Sequence, residues 1–348
     1  MIQFFLTRFL SLVLLAIPCA TLWAQVPKVV RVGVLGIDNY QAVAYTQLFN
    51  DPNAMGNLAG LKVVAAFPDK ASSDIPESVS SLPKWKEQLL KYDVKMVDSI
   101  EDLLASCDVV MVMSLDGRKH LQQASAVLKA GKRVYIGRPL AASFSDAVAI
   151  LRLAEQTKTP CWTSSQHRFS PGFIGMKNHP EVGSVLGCDI YGGCPTISHH
   201  AELYWHALHS IEALYAIMGK GCVAVSCTST PITESVTGTW SDGRIGTYRG
   251  IKTGAIKYSA TVFGEKGVSV SGVYGHGVPV KGLVPTNDKY MGYEGIAIEM
   301  AKFFKGAPVP VSAEETLEIF AFMEAAHQSK RLNGAKVQVK EMLLKAEK

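Results

Sequence analysis

Val29-Val30-Arg31-Val32-Gly33-Val34-Leu35-Gly36 runs directly into Ile37-Asp38-Asn39-Tyr40-Gln41-Ala42-Val43-Ala44-Tyr45. A short, β-branched apolar run bounded by glycine is the pattern of a buried parallel strand. Past Gly36 the apolar residues change to helical spacing, at Ala42, Tyr45, Leu48 and Phe49, which predicts strand, tight turn and helix. A nucleotide-binding βαβ unit opens in this way. The turn departs from the full G-x-G-x-x-G fingerprint, whose later glycines let the backbone approach a pyrophosphate. Gly36 holds the first place; Asp38 and Gln41 stand in the other two. Asp38 and Gln41 are also spaced as a capping box. Such a box engages the amides that a pyrophosphate would use and sets a carboxylate beside the phosphate position.

The alternation continues downstream. Leu61 to Phe67 reads as a second buried strand, where an acidic residue at the end usually holds the adenosine ribose. That end is Phe67-Pro68, with Asp69 two places on. A loop is predicted over 69–81, helices over 83–92, 99–104, 120–130 and 145–157, and strands over 94–97, 108–113, 133–136 and 161–165. This spacing implies a doubly wound parallel sheet. After about residue 168, strand-like runs follow one another at hairpin spacing, with turn signals such as Ser241-Asp242-Gly243. They predict a mostly antiparallel sheet. Helices are expected over 203–218 and from the cap at Ser312, with Glu315 three residues on, to Asn333-Gly334.

At 348 residues and 48% hydrophobic, the chain can bury two domains, here divided into 25–167 and 168–348. The net charge of +5 is scattered, with no basic stripe interleaved with aromatics, which argues against nucleic acid. Residues 1–24 read as a secretory signal: Arg8, an apolar run over 9–17, then Cys19, Ala20 and Ala24. Cleavage near Ala24 would leave an exported periplasmic or extracellular protein with no membrane segment; an uncleaved anchor is the alternative. The cysteines at 107, 161, 188, 194, 222 and 227 show no Cys-x-x-Cys spacing, so buried free thiols are expected.

The run from Val29 to Gly36, Ala130-Gly131-Lys132 leading to Arg138-Pro139, and the segment His209-Ser210-Ile211-Glu212-Ala213-Leu214-Tyr215 followed by Trp240-Ser241-Asp242-Gly243-Arg244 resemble the Gfo/Idh/MocA oxidoreductases. The resemblance covers essentially all the chain beyond the signal. It implies a Rossmann domain joined to an open α/β sheet domain that carries substrate and often the oligomer interface, hence a homo-oligomer through the C-terminal sheet. It also implies oxidation or reduction of a sugar-like polyol with NAD or NADP. Cofactor contacts would then come from Gly36, Asp38, Asn39 and Tyr40 at the first turn, from Ser114, Asp116 and His120 after the fourth strand, and from Arg138 and Pro139. Where the family has Glu-Lys-Pro, this chain has Gly137-Arg138-Pro139, and arginine does not release its proton at neutral pH.

On the helix over 203–218, Tyr204, Leu208, Ile211, Tyr215 and Met218 share an apolar face, and Glu202, Trp205, His206, His209 and Glu212 fall opposite. A histidine with a carboxylate one turn away can act as an acid–base pair. His209 and Glu212 are thus the catalytic candidates with Arg138, against the alternative of a solvated polar face. By resemblance, Arg168 would meet substrate or bridge the domains, and His206 would lie near it. Two other readings stay open: a carbohydrate-binding or assembly protein that has lost NAD, and a metal-dependent lyase or hydrolase using His199, His200, Glu202, His206 and His209.

Overall fold

The computed structural model describes residues 29–177, 179–272 and 292–346; the leader expected over 1–24 lies outside them. The N-terminal half runs β1 (Val30–Leu35), α1 (Tyr40–Phe49), β2 (Leu61–Phe67), α2 (Pro76–Leu90), β3 (Lys95–Met96), α3 (Ile100–Ser106), β4 (Val109–Val112), α4 (His120–Lys129), β5 (Val134–Ile136), α5 (Phe144–Gln156) and β6 (Cys161–Thr163). Its six strands form a parallel sheet in the order β3-β2-β1-β4-β5-β6. The order reverses between β1 and β4, so a crevice opens beyond their carboxyl ends. Gly36 sits there at φ +79°, and a Cβ on it would lie 2.1 Å from the Ser114 hydroxyl and 2.6 Å from the Ser114 amide nitrogen. Glycine is required by both the dihedral and the close packing.

Two local expectations are corrected here. Helix α2 starts at Pro76, inside the stretch expected as loop, because proline at the first helical position lacks only an N–H that has no partner there. The cap of α1 is Asn39, not Asp38: Asn39 Oδ1 accepts from the Gln41 amide at 3.0 Å. Asp38 is drawn away by longer-range partners described below.

The C-terminal half continues with α6 (Pro171–Ile174), β7 (Val185–Gly193), α7 (Ala207–Met218), β8 (Cys222–Ser229), β9 (Thr233–Trp240), β10 (Ile245–Ile251), β11 (Ser259–Gly264), β12 (Val268–Gly272), α8 (Glu294–Phe304), α9 (Ala313–Arg331), β13 (Val337–Gln338) and α10 (Val339–Ala346). Seven strands order as β12-β11-β7-β10-β9-β8-β13. Every pair is antiparallel except β7–β10. This is the expected pairing of a Rossmann-like parallel sheet with a mostly antiparallel one. One face of the second sheet packs Val225, Val236, Trp240 and Tyr248 in a common core with Ile211, Leu214 and Phe322 of α7 and α9. Its other face leaves Tyr191, Ile245, Phe263, Val268 and Val270 exposed.

Helix α7 is buried on every side, so the two-faced reading of it is corrected. Its His209 and Glu212 meet Ser165 and Ser164 of the first domain instead of water. Helix α8, which is not among the helices expected above, packs Ile296, Met300 and Phe303 against Val32, Tyr135 and Trp162 of the first sheet. Helix α9 opens as expected, Ser312 Oγ accepting from the Glu315 amide at 3.1 Å. It closes at Asn333 and Gly334, both in the left-handed region. Among the described residues the six cysteines are buried free thiols, as expected.

Candidate active site

The carboxyl ends of β5 and β6 face α7. After β5 comes Gly137-Arg138-Pro139; after β6, Ser164 and Ser165 lead into a short 3-10 turn over Gln166–Phe169. Helix α7 brings His209 to this edge, where its Nδ1 lies 2.7 Å from Ser165 Oγ. The same hydroxyl oxygen accepts from the His167 amide at 3.1 Å. The His167 and His209 rings lie 4.5 Å apart, Tyr258 stands 4.5 Å from His167, and His206 is 6.0 Å from His209. Burial first, and then the Arg138 guanidinium, push these imidazoles down: His167 to about 3, His206 to about 4, and His209 well below its ordinary value. Near neutral pH all three are uncharged.

Glu212 does not orient His209. Its Oε2 accepts from Ser164 Oγ at 2.9 Å and from Arg168 Nη1 at 3.1 Å. Burial raises its carboxyl pKa against the pull of Arg168. Arg168 is shared between Glu212 and Glu315 of α9, so its guanidinium ties the turn after β6 to α7 and α9, the bridging role of the two expected for it. The spacing that pairs His209 with Glu212 in sequence is divided in space between a serine and an arginine. Ser165, in the expected strand end, carries no motif signal that would single it out.

The histidine-rich segment disperses. Glu202 turns to Lys330 at 2.6 Å and Lys252 at 3.5 Å. His200 Nε2 accepts from the Gly117 amide at 3.2 Å, and its Nδ1 meets His199 Nδ1 at 2.6 Å. Among the described residues no group of three His, Cys, Asp or Glu side chains could hold a metal ion.

At the β1–α1 turn, Asp38 Oδ1 accepts from the Leu115 amide at 2.9 Å, and its Oδ2 accepts from the Ser78 hydroxyl. Ser72 donates to Asp116 at 2.6 Å, and Arg118 spans Asp116 and Asp74. Burial opposes charge on Asp116, yet the Arg118 and Ser72 hydrogen bonds hold its carboxyl far below the usual range. Ile75 packs with Leu115 and Trp205 over this latch. The β2–α2 loop therefore lies across the place where a diphosphate would meet α1. Ser114 Oγ accepts from Gln123 at 2.7 Å, His120 lies between the Ser114 and Pro139 carbonyls at 2.9 and 2.8 Å, and Tyr40 rests on Trp85 and Tyr293.

The adenosine end is different. A cavity of about 510 Å³ opens past β2, lined by Phe67, Asp69, Lys70, Ser99, Ile100 and Gln123. Asp69 stands at φ +57° and accepts from Gln123 at 2.7 Å, presenting a carboxylate at the edge where a ribose would lie. The residues present at this end fit an adenosine, whereas the Asp38–Ser78 hydrogen bond lies across the diphosphate position. A larger cavity of about 600 Å³ between α5, α9 and α10 contains none of the site residues.

Residues 30–165 match the model of the oxidoreductase family Gfo/Idh/MocA with an NAD-binding Rossmann fold. A 4-carboxy-2-hydroxymuconate-6-semialdehyde dehydrogenase of a Sphingobium species is 27% identical over 52% of this chain and 58% of its own. Inositol 2-dehydrogenase 1 of Saccharopolyspora erythraea is 27% identical over 52% of this chain and 46% of its own. The chain spans about half the length of the curated relatives it matches. The crystal structure of scyllo-inositol dehydrogenase from Lactobacillus casei with bound NAD(H) and scyllo-inositol superposes with a TM-score of 0.68 at 17% identity, over 90% of this chain and 100% of that one. Over residues 30–165 the chain is thus similar to the Gfo/Idh/MocA oxidoreductases and their NAD-binding Rossmann fold.

Proposed function

We propose that the protein catalyses NAD- or NADP-linked hydride transfer at a carbinol of a sugar-like polyol. The observation that carries this reading is His209, uncharged and held by Ser165 at the carboxyl edge of the first sheet, beside Arg138. Gly36, Asn39, Asp69 and Gln123 would hold the dinucleotide, which when bound supplies the hydride acceptor. With Nδ1–H donated to Ser165 Oγ, the Nε2 lone pair of His209 takes the hydroxyl proton. Arg138 cannot serve as that base, because guanidinium stays protonated; it orients the substrate oxygens. His167 and Tyr258 pack beside His209, and Trp205 beside His206 and Arg138, as aromatic walls of the site.

The test is nicotinamide reduction by purified protein with NAD or NADP across polyols, cyclitols and sugar acids. Turnover that disappears in His209→Asn supports the assignment. An absence of both turnover and dinucleotide binding sinks it and favours the non-catalytic reading.

The apolar run ahead of Ala24 supports export, and the exposed outer face of the second sheet supports a homo-oligomer formed through it. If the leader is removed, intact mass of the native protein places its terminus near Gln25. A native chain that retains Met1 would overturn cleavage.

A further inference from the structure

Arg138 and Arg168 are equally buried, each about 8% exposed, yet their surroundings differ in kind. Arg168 is answered by two carboxylates. Arg138 is answered by none: among the described residues its Nε and Nη1 meet no hydrogen-bond acceptor. Its guanidinium lies 5.5 Å from the Trp205 ring centroid, and the groups around it are phenols and imidazoles. Tyr45 and Tyr135, pushed up by burial, remain neutral and supply no negative charge. A buried guanidinium without a counter-ion is unfavourable in the free protein, since a desolvated charge needs both a partner and hydrogen bonds. A neutral hydroxyl would satisfy an N–H and leave the charge uncompensated. A carboxylate satisfies both, and its two oxygens match the planar guanidinium.

Resting on the oxidoreductase reading above, we propose that the substrate is a polyhydroxy acid: Arg138 receives its carboxylate and His209 addresses one of its hydroxyls. The site thereby selects sugar acids over neutral sugars and cyclitols. Arg138 becomes the specificity-determining residue. Its stem emerges between β5 and Pro139, which His120 clamps from below, so the cation is held in place before substrate arrives.

The test is calorimetric titration of the full chain with D-gluconate and D-glucuronate, each against its neutral counterpart, D-glucitol and D-glucose. The acids are expected to bind more tightly by on the order of ten- to a hundredfold, the worth of charged hydrogen bonds. Arg138→Gln should erase that preference without lowering the melting temperature, and Arg138→Lys should restore part of it. Equal or tighter binding of the neutral partner by the unaltered protein overturns the proposal, as does an acid preference that survives Arg138→Gln. The two readings fail separately. Arg138-dependent acid binding without nicotinamide reduction upholds the carboxylate site and sinks the redox reading; turnover confined to neutral polyols does the reverse.

Discussion

His209 is placed by a serine hydroxyl and kept uncharged by burial and by the neighbouring guanidinium. Removing the imidazole in His209→Asn should lower turnover by about 10²–10⁴-fold with the fold intact, the usual contribution of a general base. Ser165→Ala should cost less and should also displace the pH profile, because the ring loses the partner that sets its tautomer; Ser165→Thr should recover most of both. A Ser165→Ala enzyme with an unmoved profile would show that the serine only packs. The same burial makes the molecule sensitive to acid. In the unfolded chain histidine titrates near 6.5, whereas folded His167 and His206 do so at about 3 and about 4. Below pH ~6.5 the unfolded state binds more protons, so stability falls as pH drops towards those folded values and levels off beneath them. Melting temperatures measured between these limits should decline less steeply in a His167→Gln, His206→Gln double variant than in the unaltered protein. Parallel curves would contradict the assignment. Arg138, His206 and His209 were all legible as candidates from the sequence. Ser165 was not, because a serine at a strand end has no distinguishing neighbourhood until α7 is packed against it.

Between β1 and α1 the decisive feature is a latch. Asp38 ties Leu115, in the loop after β4, to Ser78 in the first turn of α2, and Ser72 ties the β2–α2 loop to Asp116, which Arg118 links to Asp74. A dinucleotide entering this crevice must displace Ser78 and bring its phosphates past a carboxylate. The protein as purified should therefore carry little NAD. Asp38→Gly removes both obstacles and should tighten NAD binding by roughly tenfold or more, on the footing that one charged hydrogen bond contributes about 1.5–3 kcal/mol. Titration calorimetry decides it; unchanged or weaker binding would mean that the latch does not compete with the cofactor. The spacing of Asp38 and Gln41 had indicated a local cap, and Asn39 holds that place instead. Gln41 reaches across to Gln166 at 2.9 Å, a partner 125 residues away. Local rules name the residues able to cap a helix, and tertiary partners choose among them.

The assembled molecule joins its two sheets through polar side chains that lie inside the protein. Arg168 binds elements from three parts of the chain, and α8 returns from beyond the second sheet to complete the core of the first. The boundary expected near residue 168 is therefore a change of architecture along the chain and not a line between independent cores. The outer face of the second sheet presents Tyr191, Phe263, Val268 and Val270 side by side on neighbouring strands. If that face is an interface between copies, light scattering should give a multiple of the monomer mass, and Phe263→Lys with Val270→Lys should reduce it to one. A monomer before mutation would refute the assembly.

Strand, turn and helix order, the cap at Ser312, the glycine at position 36 and the change from parallel to antiparallel pairing were readable from the chain alone. Each depends on periodicity or backbone preference within a few neighbouring residues. The partners of Asp38, His209 and Arg168 were not readable in this way, since they lie 40, 44 and 147 residues distant. Hydrogen bonds and ion pairs take whichever complementary group folding delivers, and burial then sets their protonation. For the same reason α7, which alternates polar and apolar residues like a surface helix, lies wholly inside: its His209 and Glu212 meet serines of the other domain, which no local pattern encodes.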